Sequence, residues 1–151
     1  MNDFSKFTIR VYGLFLNSRN ELLVVDEYQL DTVMTKFPGG GLEYGEGPVD
    51  CLKREAMEEM NQAISVGKHF YTTHFFQPAF FYRNVQLLSI YYRAELLEPE
   101  RFTASKQAFD FEEKKNGNMS FRWMPLQDIY PEMFTFPVDQ HVVKMIEEKG
   151  L

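Results

Sequence analysis

Apolar and polar positions alternate in some stretches of the chain and fall at helical spacing in others, which separates strands from helices. Phe7 to Leu16 alternates loosely, is rich in β-branched and aromatic residues, and predicts a strand. Asn17-Ser18-Arg19-Asn20 has turn chemistry, and Glu21 to Tyr28 reads as the partner strand of a hairpin. Ala63 to Phe75 and Val85 to Leu97 predict two more strands, with the aromatic loop Phe76 to Tyr82 between them. Glu98 to Asn118 is polar and reads as a long loop with room for a short helix. Met119 to Met124 predicts a last strand, ended by Pro125-Leu126.

Helical spacing appears twice. Pro48 to Met60 places Val49, Leu52, Ala56 and Met60 on one face, with Pro48 suited to a first turn and Asn61 to a left-handed stop. Pro137 to Lys149 does the same with Val138, Val142, Met145 and Ile146. No repeat or linker divides residues 1–151, so a single domain is expected, of mixed α and β class with many antiparallel neighbours.

Composition narrows the function. The formal net charge of −6 ill suits polymeric nucleic acid, which rewards a basic surface, but admits a small anion once a cation is bound. Aromatic residues make up 16%, enough to supply stacking surfaces for flat ligands. The lone Cys51 excludes an intrachain disulfide. Met1 to Arg10 has no signal-like apolar core and no run is long enough to span a membrane. A cytoplasmic location without membrane partners is the expectation.

The chemistry concentrates between Gly39 and Asn61. Glu55, Glu58 and Glu59 stand at i, i+3 and i+4, on one helix face within a turn of each other. An acidic helix face is ordinarily just solvated, yet three like charges this close repel, and a hard divalent cation relieves the repulsion. Arg54 can pair with a nearby carboxylate, Glu46 being one candidate. Gly39-Gly40-Gly41 lets bare backbone approach a ligand, and a carbonyl of Gly39 or Gly40 could add an oxygen ligand. Turn and helix together form a bowl that a diphosphate could enter with a metal ion and not without one.

Gly40-x5-Glu46-x7-Arg54-Glu55-Ala56-Met57-Glu58-Glu59-Met60-Asn61 resembles the Nudix box, whose final glycine and aliphatic residue are replaced here by Asn61 and Gln62. Asn can keep the cap, and Gln62 is expected to lose some packing at the helix exit. Phe37-Pro38-Gly39 resembles the family's lead-in, and Phe121 to Leu126 its late strand. The resemblance implies an α/β/α sandwich around a mixed sheet. It implies hydrolysis of a nucleoside diphosphate joined to another group, with Mg²⁺ or Mn²⁺ as cofactor. By position, Glu55, Glu58 and Glu59 become metal ligands together with a carbonyl of Gly39 or Gly40. The family's general base is either a box glutamate, here Glu58 or Glu59, or one from a later loop, here Glu112 or Glu113.

Substrate choice is less constrained. Phe76, Phe80 and Tyr82 are candidates for stacking on a base or ribose, although core packing or a homodimer interface is the commoner use of such residues. Pro78 stands where members that cleave ADP-ribose often carry proline, which favours ADP-ribose or another nucleotide sugar. A nucleoside triphosphate pyrophosphohydrolase and a non-catalytic nucleotide sensor are the alternatives. Cys51 is read as a small apolar filler. His69, His74 and His141 lack zinc spacing and are read as surface or strand residues.

Overall fold

The computed structural model describes residues 6–151; residues 1–5, half of the segment read above for a targeting signal, lie outside the described residues. The strands are β1 (Lys6–Phe15), β2 (Glu21–Gln29), β3 (Thr32–Lys36), β4 (Gly39–Gly41), β5 (Ile64–Thr72), β6 (Val85–Leu96) and β7 (Met119–Pro125). The helices are α1 (Pro48–Met60) and α2 (Pro137–Lys149), and two short 3-10 turns precede α2. Both predicted helices have the bounds expected from their spacing. The polar segment after β6 holds no helix. Among the described residues no helix is long and apolar enough to cross a membrane.

The strands form two sheets rather than one. The first runs β4-β1-β6-β5, with β1 parallel to β6 and the other pairs antiparallel; the second, β3-β2-β7, is antiparallel throughout. Alternation along β1 and β2 then sorts their side chains into two cores. Val11, Phe15, Leu23 and Val25 meet Cys51, Leu52, Ala56 and Met60 of α1. Tyr12, Leu14, Leu22 and Val24 meet Val138, Val142, Val143 and Ile146 of α2. The result is an α/β/α sandwich, each fully buried aliphatic side chain contributing roughly 1.5–3 kcal/mol.

Local chemistry sets the joints. Asn17 folds the first turn by accepting hydrogen bonds from Arg19 N and Glu21 N, both at 3.0 Å. Leu30 and Asp31, with φ of 47° and 59°, turn β2 into β3. That hairpin lacks the Asn-Gly signature that would announce it, and Gly39-Gly40-Gly41, expected as a turn, is instead strand β4, held by its pairing with β1. The α1 face also differs from expectation. Val49 is exposed, and Cys51, one residue short of Leu52, takes the buried place because the helix packs on β4 near its N-terminal end.

At the helix exit Asn61 adopts φ 52° and ψ 39°, and its N–H donates to Met57 O at 3.0 Å. The expected packing loss at Gln62 does not occur. Its side chain is wholly buried, donates to Glu98 O at 3.2 Å, and accepts from Arg101 N at 2.9 Å. A glutamine here satisfies loop backbone that an aliphatic residue would leave unpaired. His69 lies on β5, while His74 and His141 pack around Tyr71.

Candidate active site

The acidic face of α1 lies under the glycine strand. Val11 pairs with Gly40, which holds β4 against β1. Gly40 has no room for a side chain, because a Cβ there would stand 2.5 Å from Oε2 of Glu55 and closer to the rest of its carboxyl group. The glycine is therefore required for close approach, and the carboxyl group of Glu55 fills the space it leaves. Cys51 packs beside it with Sγ 3.4 Å from Gly41 O, and burial first, then Glu46, pushes its thiol up to about 12. That is an inert filler, not a nucleophile.

Arg54 organises the carboxylates. Its guanidinium donates to both oxygens of Glu46, at 3.0 and 2.7 Å, to Glu55 and Glu58, each at 3.1 Å, and to Gly41 O at 2.9 Å. The fork pairing with Glu46 is the geometry arginine favours, and it holds the Glu46 carboxyl down to about 2.

Among the described residues Glu59 has no such ion pair. Burial pushes its carboxyl up to about 8; the charge of Lys36 opposes the rise and those of Glu55 and Glu27 add to it. A carboxyl so disposed is a poor anion until a cation arrives. Among the described residues no three His, Cys, Asp or Glu side chains converge on one point as they stand, since Arg54 draws Glu55 and Glu58 toward itself. The donor set still fits Mg²⁺, which takes few carboxylates and keeps several waters. Of the three glycine carbonyls, Gly41's accepts from Arg54 at 2.9 Å and Gly40's from the Cys51 thiol at 3.9 Å, so between the two expected candidates Gly39 is the one with no side-chain donor among the described residues.

A cavity of about 330 Å³ opens beside this site, between the sheets and the start of α2. Arg10, Glu27 and Lys36 line it, and the charges of Lys36 and Glu27 reach Glu59 while that of Glu55 reaches Arg10; Phe80, Phe81, Tyr82 and Phe136 line it with aromatic surface. Tyr12, Tyr91 and Asp139 lie deeper; Tyr12 and Tyr91 stack at 5.2 Å, and the Tyr91 hydroxyl donates to Asp139 Oδ1 at 2.5 Å. The other carboxyl oxygen of Asp139 has no hydrogen-bond partner among the described residues. Burial raises this carboxyl to about 7, against the pull of Tyr91, Lys36 and Arg10.

The NUDIX domain profile matches residues 6–145. The chain belongs to the Nudix family. Membership makes it a hydrolase of pyrophosphate linkages, in a family that generally uses divalent metal ions. Solved structures share the Nudix fold. A NUDIX hydrolase from Nitrosomonas europaea aligns with TM-score 0.70 and 14% identity over 95% of this chain and 90% of its own. The mismatch repair protein MutT from methicillin-resistant Staphylococcus aureus 252 aligns with TM-score 0.62 and 23% identity over 97% and 100%. A UDP-X diphosphatase aligns with TM-score 0.61 and 14% identity over 97% and 66%. No curated protein sequence matches the chain.

Within the Nudix frame, Arg54, Glu55, Glu58 and Glu59 come together on α1 beside Gly39 and Gly40. Glu112 and Glu113 do not join them through any hydrogen bond or ion pair among the described residues. They are exposed, and their loop is tied to the β2–β3 hairpin by Asn116, which accepts from Leu30 N at 2.9 Å. Phe80 and Tyr82 line the cavity whereas Phe76 does not. Sequence reasoning missed Asp139, Lys36, Glu27, Arg10 and Tyr91. Only Asp139 left a signal, as an acidic residue on the apolar face of α2.

Proposed function

We propose that this Nudix hydrolase uses Mg²⁺, or Mn²⁺ in its place, to hydrolyse a phosphoanhydride bond in a nucleoside diphosphate joined to another group. The observation that carries this reading is the shared wall. Arg10, Glu27 and Lys36 line the cavity, and the charges of Lys36 and Glu27 also act on Glu59. A nucleoside seated in the cavity would therefore lead its phosphates toward the glutamate helix.

Glu55, Glu58 and Glu59 would hold the ion together with a carbonyl of Gly39 or Gly40. When bound, the ion shields phosphate oxygens and acidifies a water molecule. Arg54 keeps the carboxylates in place, and Phe80, Phe81 and Tyr82 offer faces for stacking. The proton of the attacking water passes to a carboxylate, with Glu58 or Glu59 favoured over Glu112 or Glu113 because they stand on the acidic face itself. The cavity is at the small end for a ligand site and matches one nucleoside rather than a whole dinucleotide. An ADP-ribose or another nucleotide sugar would extend its second half outward.

A second reading, pyrophosphohydrolysis of nucleoside triphosphates, is favoured by Asp139. A buried carboxyl with a free oxygen is suited to reading a base edge, as a pool-cleansing enzyme must. Turnover with Mg²⁺ of ADP-ribose, other nucleotide sugars, dinucleoside polyphosphates and deoxynucleoside triphosphates separates the two. Nucleoside monophosphate plus a phosphorylated remainder supports the first reading, and monophosphate plus pyrophosphate the second. A folded protein that turns over none of them would instead be a nucleotide-sensing module.

A further inference from the structure

Lys36 is buried to within 7% of full enclosure, yet it lines the cavity. Its ammonium pairs with Glu27 Oε2 at 2.6 Å, and the Glu27 side chain is itself only 15% exposed. Its charge bears on Glu59 of the metal face and on Asp139 of the cavity floor, two carboxyls that belong to opposite layers of the sandwich. Arg10, the other cation on this wall, gives its Nε to the Tyr12 hydroxyl at 2.8 Å and lies 5.7 Å from that ring's centre, so within the cavity it is tied to Tyr12, whereas Lys36 is tied to a carboxylate. A lysine enclosed this far is costly unless its three donors find acceptors, and one carboxylate oxygen satisfies one of them.

We propose that Lys36 grips the phosphate attached to the bound nucleoside, with Glu27 as the partner that holds the ammonium in place until the phosphate arrives. The proposal rests on the nucleotide reading of the cavity and adds a specificity-determining residue to it. A phosphate between the cavity and α1 would meet the ammonium as a point charge, the manner in which lysine binds phosphate. Lys36 would thereby discriminate a nucleotide from a nucleoside before any metal ion takes part.

Calorimetric binding in EDTA tests this, using the four ribonucleosides and their 5′-monophosphates as probes. Wild-type protein should bind at least one monophosphate more tightly than its nucleoside. Lys36→Met should lose about tenfold of that preference while keeping its affinity for the nucleoside, as expected on removal of a charge-assisted hydrogen bond. Because Lys36→Met leaves Glu27 buried and unpaired, Lys36→Met with Glu27→Gln serves as the folded control and should behave alike. Glu27→Gln alone frees the ammonium and should strengthen monophosphate binding. A Lys36→Met protein with undiminished preference for the monophosphate overturns the proposal and leaves the nucleotide reading intact. A folded wild-type protein that binds no probe at all overturns both.

Discussion

Gly40→Ala tests the fit between the glycine strand and the acidic helix. The new methyl carbon would begin 2.5 Å from Glu55 Oε2, whereas ordinary contact begins near 3.4 Å, so the carboxyl group must retreat by roughly 1 Å or β4 must lift from α1. Neither is easy: Arg54 holds the carboxyl at 3.1 Å, and Val11 holds the strand in register. Overpacking of this kind costs about 1–3 kcal/mol. A 1 Å displacement at a reacting centre can cost on the order of 10²-fold in rate. The expected result is a folded protein with a modestly lower Tm, kcat reduced about a hundredfold, and a higher Mg²⁺ requirement. Gly41→Ala is the matched control. A Cβ there meets only a terminal nitrogen of Arg10 at 4.0 Å, so activity and Tm should stay near wild type. Steady-state turnover over a Mg²⁺ titration, with thermal melts of both variants, decides the matter. Wild-type kcat in Gly40→Ala, at any Mg²⁺ concentration, would show that the position of the Glu55 carboxyl does not matter to catalysis.

Asp139 gives a pH signature. Its carboxyl sits at about 7 in the folded protein, against 3.8 as the ordinary value, so between these limits the native state keeps a proton that the unfolded chain has lost. Stability from this group is therefore greatest in acid and falls as pH rises through that window. Asp139→Asn should gain Tm relative to wild type from pH 5 to pH 8, and parallel Tm profiles would contradict the assignment. Gln62→Leu should cost about 2 kcal/mol by leaving Arg101 N and Glu98 O unpaired, which for a chain of this size lowers Tm by roughly 4–8 °C. An unchanged melt would mean that the loop satisfies its backbone without Gln62.

The acidic helix was legible because its information is local. Spacing alone puts Glu55, Glu58 and Glu59 on one face, and Arg54 reaches Glu46 only eight residues back along the chain. Asn61 could be read as a stop because one residue's tolerance for the left-handed region decides it. The cavity was not legible, because Arg10, Lys36, Tyr91 and Asp139 are brought together by parallel pairing of β1 with β6 and by the docking of α2. No periodicity within one segment reports such a meeting. Gln62 was misjudged for a related reason: its partners lie at Glu98 and Arg101, beyond two strands. At β3, the turn places Leu30 as well as Asp31 in the left-handed region; Asp tolerates it but Leu seldom adopts it, so Leu30-Asp31 gave no clear turn cue.

The pairing of β1 with β4 acts as a ruler. Val11 faces Gly40 over Glu55, while the next residue, Tyr12, points into the opposite layer and stacks on Tyr91 beside Asp139. On the proposed reading, one peptide step thus separates the face that would hold the metal ion from the cavity that would hold the nucleoside. A slip of one residue would swap the two faces, so the spacing between them cannot drift in small increments. Side chains around the cavity can change without altering that spacing. Were the cavity to hold the nucleoside, a new substrate could be acquired by repainting that one wall, while its distance from the glutamate face would stay as the strand measures it.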